Sequence, residues 1–183
     1  MRALAFEGNA ALDDDELAEQ VATDASGCRS LFAAPFCLVW KGDAVYARRR
    51  LDRAELERDA LRLRVHYWRR GWRAVRVVPR VTPVDSATVD VAFVIVEGPP
   101  TLVGALDLGP ADTLLSPRAR RAALDGLEPG EPLDLVRLDS VGARVTRALD
   151  ARGFGDATVI PSVVDDTTRP QKDVALTTYR PYR

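Results

Sequence analysis

Few residues in this chain have the type and spacing for chemistry. Asp13-Asp14-Asp15-Glu16 sets four carboxylates in a row, enough oxygen donors to suggest a hard divalent cation. They fit better as the acidic first turn of a helix, where carboxylates meet the positive end of the helix dipole. His66 is the single histidine. With no nucleophile near it in sequence, it reads as a helix-surface residue. Cys28 and Cys37 lie nine residues apart and, with one histidine elsewhere, do not make a zinc set. A local disulfide would suit an oxidising compartment and two free thiols the cytosol. The spacing leaves both open. No Ser/His/Asp group, metal-ligand cluster or phosphate-binding glycine loop emerges. No catalytic residue, metal or cofactor is therefore expected, and an enzyme is the least supported class.

Charge narrows the partners. The formal net charge is -1, which argues against bulk affinity for nucleic acid or anionic lipid. Arg48-Arg49-Arg50, Arg69-Arg70 and Arg118 with Arg120-Arg121 read as solvated faces rather than a nucleic-acid patch. No apolar run approaches the roughly 20 residues of a membrane-spanning helix, and no basic-then-apolar leader opens the chain. The expectation is a soluble chain, compatible with part of a longer secreted protein.

The elements that must position these residues come in two copies. Leu51-Asp52, a helical pattern, Arg70-Gly71-Trp72 and Val77-Val78-Pro79-Arg80-Val81 return 82 residues later without a gap. The second copy reads Leu133-Asp134, a helical pattern, Arg152-Gly153-Phe154 and Val159-Ile160-Pro161-Ser162-Val163. A glycine and a proline held at the same separation twice point to a repeated structural module.

The first copy opens with an alternating strand, Leu4 and Phe6 on one face, closed by Gly8-Asn9. Asp13 with Glu16, and later Asp52 with Glu55, have capping-box spacing. Between the two helices runs an irregular segment of about residues 24–50, with Leu31, Phe32, Phe36, Leu38, Val39 and Trp40. These apolar residues are expected to cap the domain's core, with an exposed contact surface as the other reading. Leu56, Ala60, Leu63 and Tyr67 mark the buried face of the second helix, which Gly71 ends. Strands over 73–82 and 88–97 then form a hairpin. Pro79 places the first of them at a sheet edge or marks a bulge in it.

Glu97-Gly98-Pro99-Pro100 breaks the pattern and is the expected boundary, giving domains 1–98 and 99–183. In the second copy Leu102, Gly104, Leu106 and Leu108 alternate as a strand, and Ser116-Pro117 starts a short helix. Leu138, Val141, Val145 and Leu149 form the buried face of the next helix. Two strands follow, joined by a turn at Asp165-Asp166-Thr167-Thr168. Each copy therefore reads strand, helix, helix, strand, strand.

Three stretches carry a family resemblance. They are Phe6-Glu7-Gly8-Asn9, Tyr67-Trp68-Arg69-Arg70-Gly71-Trp72 and Val94-Ile95-Val96-Glu97-Gly98. They resemble the polypeptide-transport-associated (POTRA) domain, most closely that of outer-membrane assembly factors of the BamA and TamA type. The second copy departs from it, with Leu149 for the tyrosine and no Glu-Gly after Leu176.

The resemblance implies an α+β fold of two tandem β-α-α-β-β domains. Each would be a three-stranded mixed sheet, the last strand central, with two helices on one face. It implies a periplasmic chain attached to the outer membrane through a C-terminal membrane β-barrel of the parent protein. Its implied partners are unfolded outer-membrane proteins and accessory periplasmic or lipoprotein subunits, with no nucleic acid. The oxidising periplasm in turn implies a Cys28–Cys37 disulfide.

The mechanism expected on this basis is β-augmentation, a client strand pairing with an exposed sheet edge. The candidate edges are Val75, Arg76, Val77, Val78, Arg80 and Val81, and Thr158, Val159, Ile160, Ser162 and Val163. The alternatives are a jointed spacer, stiffened at Gly98, Pro99 and Pro100, and a cell-division-type scaffold with no client binding.

Overall fold

The computed structural model describes residues 1–23, 27–28, 46–47, 50–164 and 171–179. The chain divides into two units, Met1–His66 with Val75–Gly98, and Tyr67–Ala74 with Pro99–Arg183. Both are α+β, each with helices packed on a three-stranded mixed sheet.

The first stretch runs β1 (Leu4–Glu7), α1 (Asp14–Ala18), β2 (Gly27–Cys28), β3 (Tyr46–Ala47), α2 (Arg53–Arg69), β4 (Arg76–Pro83) and β5 (Val89–Val96). The sheet order is β1-β5-β4, with β1 parallel and β4 antiparallel to the central β5. The register sets Leu4, Val91 and Val81 in one row and Phe6, Phe93 and Pro79 in the next. That face carries the core, because a period of two sends alternate side chains to the same side. Val77, Val91, Phe93 and Ile95 are buried, as are Leu17, Leu56, Ala60 and Leu63 of the helices. Phe6 stacks on Phe93 with centroids 6.0 Å apart. The hairpin between β4 and β5 closes on Asp85, whose carboxylate accepts the amides of Ala87 and Thr88, both at 2.8 Å.

The strand expected from Arg73 begins at Arg76. Within the 24–50 segment the structure describes one short antiparallel ladder, Gly27 opposite Ala47 and Cys28 opposite Tyr46. The apolar group from Leu31 to Trp40 and Cys37 lie outside the described residues, and so does the Asp165–Thr168 turn.

The second stretch runs β6 (Leu102–Asp107), α3 (Ala111–Leu114), α4 (Pro117–Leu124), α5 (Leu135–Asp150), β7 (Thr158–Val164) and β8 (Gln171–Tyr179). The sheet order is β6-β8-β7, again parallel then antiparallel about the last strand. Leu138, Val141, Val145 and Leu149 of α5 pack with Val103, Val159, Val174 and Leu176 in one core.

One expectation is corrected here. Strict alternation puts Leu102, Gly104 and Leu106 on one face, but Val103 is the buried residue (1% exposed) and Leu102 is only half-buried. The β6–β8 register shifts between Val103 and Leu106, so the pleat changes parity at a bulge. The bulge has a side-chain partner: Asp173 Oδ1 accepts the Ala105 amide at 2.8 Å. Gly104 makes room for it, since a Cβ there would sit 2.3 Å from that oxygen. The short helix α3 was not foreseen.

The repeated ends of the two long helices share one geometry. Trp72 N–H donates to Tyr67 O at 3.0 Å and Gly71 N–H to Trp68 O at 3.2 Å, with Gly71 at φ 103°. Phe154 N–H donates to Leu149 O at 3.1 Å and Gly153 N–H to Asp150 O at 2.8 Å, with Gly153 at φ 90°. Both are Schellman motifs, in which the residue after the glycine packs on the residue five before it. Tyr67 and Trp72 make that contact edge-on at 6.5 Å. This explains why an aromatic follows each glycine and why a large residue stands five positions earlier.

Candidate functional site

The residues proposed from sequence as strand-binding sites fall on the edge strands β4 and β7, except Val75, which lies just before β4. Their side chains divide as the pleat requires. Val75 and Val77 are buried and Val81 half-buried, while Arg76, Val78 and Arg80 are exposed. On β7, Val159 is buried and Val163 half-buried, while Thr158, Ile160 and Ser162 are exposed. What an edge offers a partner strand is its backbone, so the direction of each N–H and C=O decides its capacity.

For β4 the direction follows from the hairpin. Val84 N–H donates to Thr88 O at 3.0 Å, so that pair is hydrogen-bonded. Hydrogen-bonded pairs recur every second residue in an antiparallel ladder. The printed register then gives Thr82–Asp90, Arg80–Ala92, Val78–Val94 and Arg76–Val96 as bonded pairs. On the other side of β5, Val91 N–H donates to Ala3 O at 3.0 Å, consistent with odd-numbered β5 residues facing β1. Val77, Pro79 and Val81 therefore turn their backbone groups outward. Pro79 has no N–H to offer, which leaves the Val77 and Val81 amides and three carbonyls. These two amides have no partner among the described residues.

On β7 the outward residues are Val159, Pro161 and Val163, because the Val159 amide donates away from β8 to Thr146 Oγ1 on α5 at 3.1 Å. Pro161 again lacks a donor. Gly142 of α5 stands against this edge, where an added Cβ would lie 2.9 Å from Pro161 Cδ and 3.4 Å from Val159 O.

The markers of the family resemblance turn out to be clamps around this frame. Gly8, at φ 86°, crosses so close to β5 that a Cβ would be 2.3 Å from Ile95 O. Asn9 Nδ2 donates to Leu12 O at 3.0 Å and to Asp14 Oδ1 at 2.7 Å. Glu97 Oε1 accepts the Ala11 amide at 2.9 Å. Arg80 pairs with Glu7.

Neither capping box is complete. Asp13 makes no side-chain cap bond, and Glu16 instead meets His66, Oε1 to Nε2 at 2.8 Å. Asp52 does accept the Ala54 amide at 2.9 Å, but Glu55 is held by Arg62 and Arg58. Those bonds keep its carboxyl below the usual range.

Sequence reading missed Asp59. It is fully buried on α2 and accepts the amides of Ala22 at 2.9 Å and Thr23 at 2.8 Å, with Arg62 as ion-pair partner. Burial pushes its carboxyl up. The Ala22 amide, the Thr23 hydroxyl and amide, and Arg62 outweigh that and hold it below the ordinary value. The warning was its place beside the Leu56–Ala60–Leu63 stripe, though backbone amides 36 and 37 residues away leave no mark in sequence.

Among the described residues no cluster of His, Cys, Asp or Glu could hold a metal ion. No described helix is long and apolar enough to cross a membrane. At the expected joint, Gly98 takes φ 69°. Gly98 and Pro99 are exposed and Pro100 is half-buried.

A β-α-α-β-β unit with its last strand central and its hairpin strand at the edge defines a class of small α+β modules. The family description "POTRA: Surface antigen variable number repeat" matches residues 2–98, and the chain belongs to the POTRA family. Among solved structures, the N-terminal domain of Omp85 from Thermosynechococcus elongatus is 14% identical with a TM-score of 0.50, covering 96% of this chain and 61% of that one. Its likeness supports the fold. Haemophilus influenzae BamA POTRA3-5 is 18% identical (TM-score 0.46), over 100% of this chain and 66% of that one. Escherichia coli CdiB is 17% identical (TM-score 0.43), over 100% and 27%. The chain thus spans about two thirds or less of each of these structures. No curated protein matches it.

Proposed function

We propose that this chain is the periplasmic, polypeptide-binding part of an outer-membrane β-barrel assembly or translocation factor, divided into domains 1–98 and 99–183. It receives unfolded outer-membrane proteins by strand addition at β4. A membrane β-barrel in the parent protein and accessory periplasmic or lipoprotein subunits complete the assembly. The observation that carries this reading is the outward row of Val77, Pro79 and Val81, with two amides lacking a partner among the described residues beside three edge carbonyls. Backbone pairing tolerates many client sequences, which suits a receiver of diverse chains.

Pro79 weakens the edge without closing it. It removes one donor from the middle of the row, worth about 1 kcal/mol net, or roughly fivefold in affinity. The same proline is a common guard against unwanted pairing, and this favours the second reading, a jointed spacer. NMR titration with an extended peptide from an outer-membrane β-strand separates the two. The receiver reading expects saturable amide shifts over Arg76–Pro83, and about fivefold tighter binding by Pro79→Ala. Unchanged β4 amides at millimolar peptide would overturn it and leave the spacer.

A further inference from the structure

The two edge strands share a sequence pattern and a proline, yet their surroundings differ. On β7 the backbone of Val159 lies against α5. Its amide is taken by Thr146 Oγ1 at 3.1 Å, and its carbonyl lies where Gly142 passes. Pro161, the next outward residue, carries its ring against Gly142, with room for no more than a hydrogen there. Of the three outward positions only Val163 keeps a donor free of the helix among the described residues.

The repeat supplies its own control. The positions 82 residues before Gly142 and Thr146 are Ala60 and Arg64. Ala60 brings the Cβ that the close approach at Gly142 excludes, and Arg64 has no short hydroxyl to offer an amide. The substitutions that let α5 lie on its edge are therefore missing from α2.

We infer that α5 seals the β7 edge, Thr146 and Gly142 acting as specificity-determining residues that leave β4 as the receiving edge of this repeated pair of strands. This rests on the strand-addition reading for its purpose. The seal itself does not, and can be measured without any peptide. Thr146 replaces the neighbour strand with one hydroxyl acceptor, and Gly142 removes the gap a client would enter.

The experiment is amide hydrogen exchange on the full chain, followed by the peptide titration. Without peptide, the Val159 amide should exchange at least tenfold more slowly than that of Val81. Thr146→Val, nearly the same shape without the acceptor, should remove about tenfold of that protection, while Thr146→Ser keeps it. In the titration, Thr158–Val163 should stay unshifted at peptide concentrations that saturate β4. Exchange of Val159 as fast as Val81, or equal protection in the valine variant, would overturn the seal. So would peptide shifts along β7 in the unaltered chain. Binding at neither strand, with Val159 still protected through Thr146, would sink the client reading and leave the seal standing.

Discussion

Replacing Asp59 by alanine tests how the chain leaving α1 is held to α2. The carboxylate accepts the Ala22 and Thr23 amides at 2.9 and 2.8 Å and pairs with Arg62. A hydrogen bond to a charged group contributes about 1.5–3 kcal/mol, and neighbouring bonds do not add in full. Ala22 is exposed, so water replaces part of what is lost. The expected loss is about 3 kcal/mol at pH 7. In a unit of this size that lowers the melting temperature by roughly 15 °C.

The folded carboxyl is held below its ordinary value. Its contribution is therefore fully present above the unfolded-state pKa, about 3.9, and is lost as pH falls through the folded value. Urea unfolding can be followed by the amide NMR signals of β4 and β5, which lie in the same unit as Asp59. The gap between the two proteins should be about 3 kcal/mol at pH 7 and narrow steadily below pH 4. A gap under 1 kcal/mol at pH 7, or one unchanged down to pH 3, would refute the reasoning.

Three further substitutions have definite signs. Gly8→Ala must place a Cβ 2.3 Å from Ile95 O at φ 86°; a loss of about 3 kcal/mol is expected in denaturant unfolding. Gly104→Ala pushes the Asp173 carboxylate off the Ala105 amide. It should lower stability by about 2 kcal/mol, with the Ala105 amide exchanging faster. Thr178 buries a hydroxyl with no partner among the described residues, so Thr178→Val should raise stability by about 1 kcal/mol. A calorimetric melt that falls instead would count against that orphan.

How much of this could be read in advance depended on whether a cause left its mark on nearby side chains. The helix ends were legible, because the Schellman geometry needs a glycine and a large residue at fixed spacing. Both copies show it, at Tyr67–Trp72 and Leu149–Phe154. The edge position of β4 was legible from Pro79, since a proline cannot serve both sides of a ladder. The β6 bulge was not, because the pattern from Leu102 to Leu108 alternates faithfully and the disruption comes from Asp173 on another strand. Glu16 and Glu55 misled for a related reason. Their capping spacing was right, but His66 and two arginines compete for the same oxygens. Thr146 looked like an ordinary polar residue on a helix, and only the strand beside it reveals the amide it accepts.

The central place of the last strand has a consequence for how each module is made. Leu4 lies beside Val91, and Leu102 beside Gln171. A chain emerging from a ribosome or an export channel presents its first strand early and its only partner late. Until then β1 has no ladder to join, and β4 has none either, since β5 separates them. Neither sheet can grow strand by strand from its start. Each must close at one late moment, by joining residues far apart in the chain, which slows folding. Through that wait the nascent module is itself an extended polypeptide with unpaired strands, the kind of chain that holding chaperones protect.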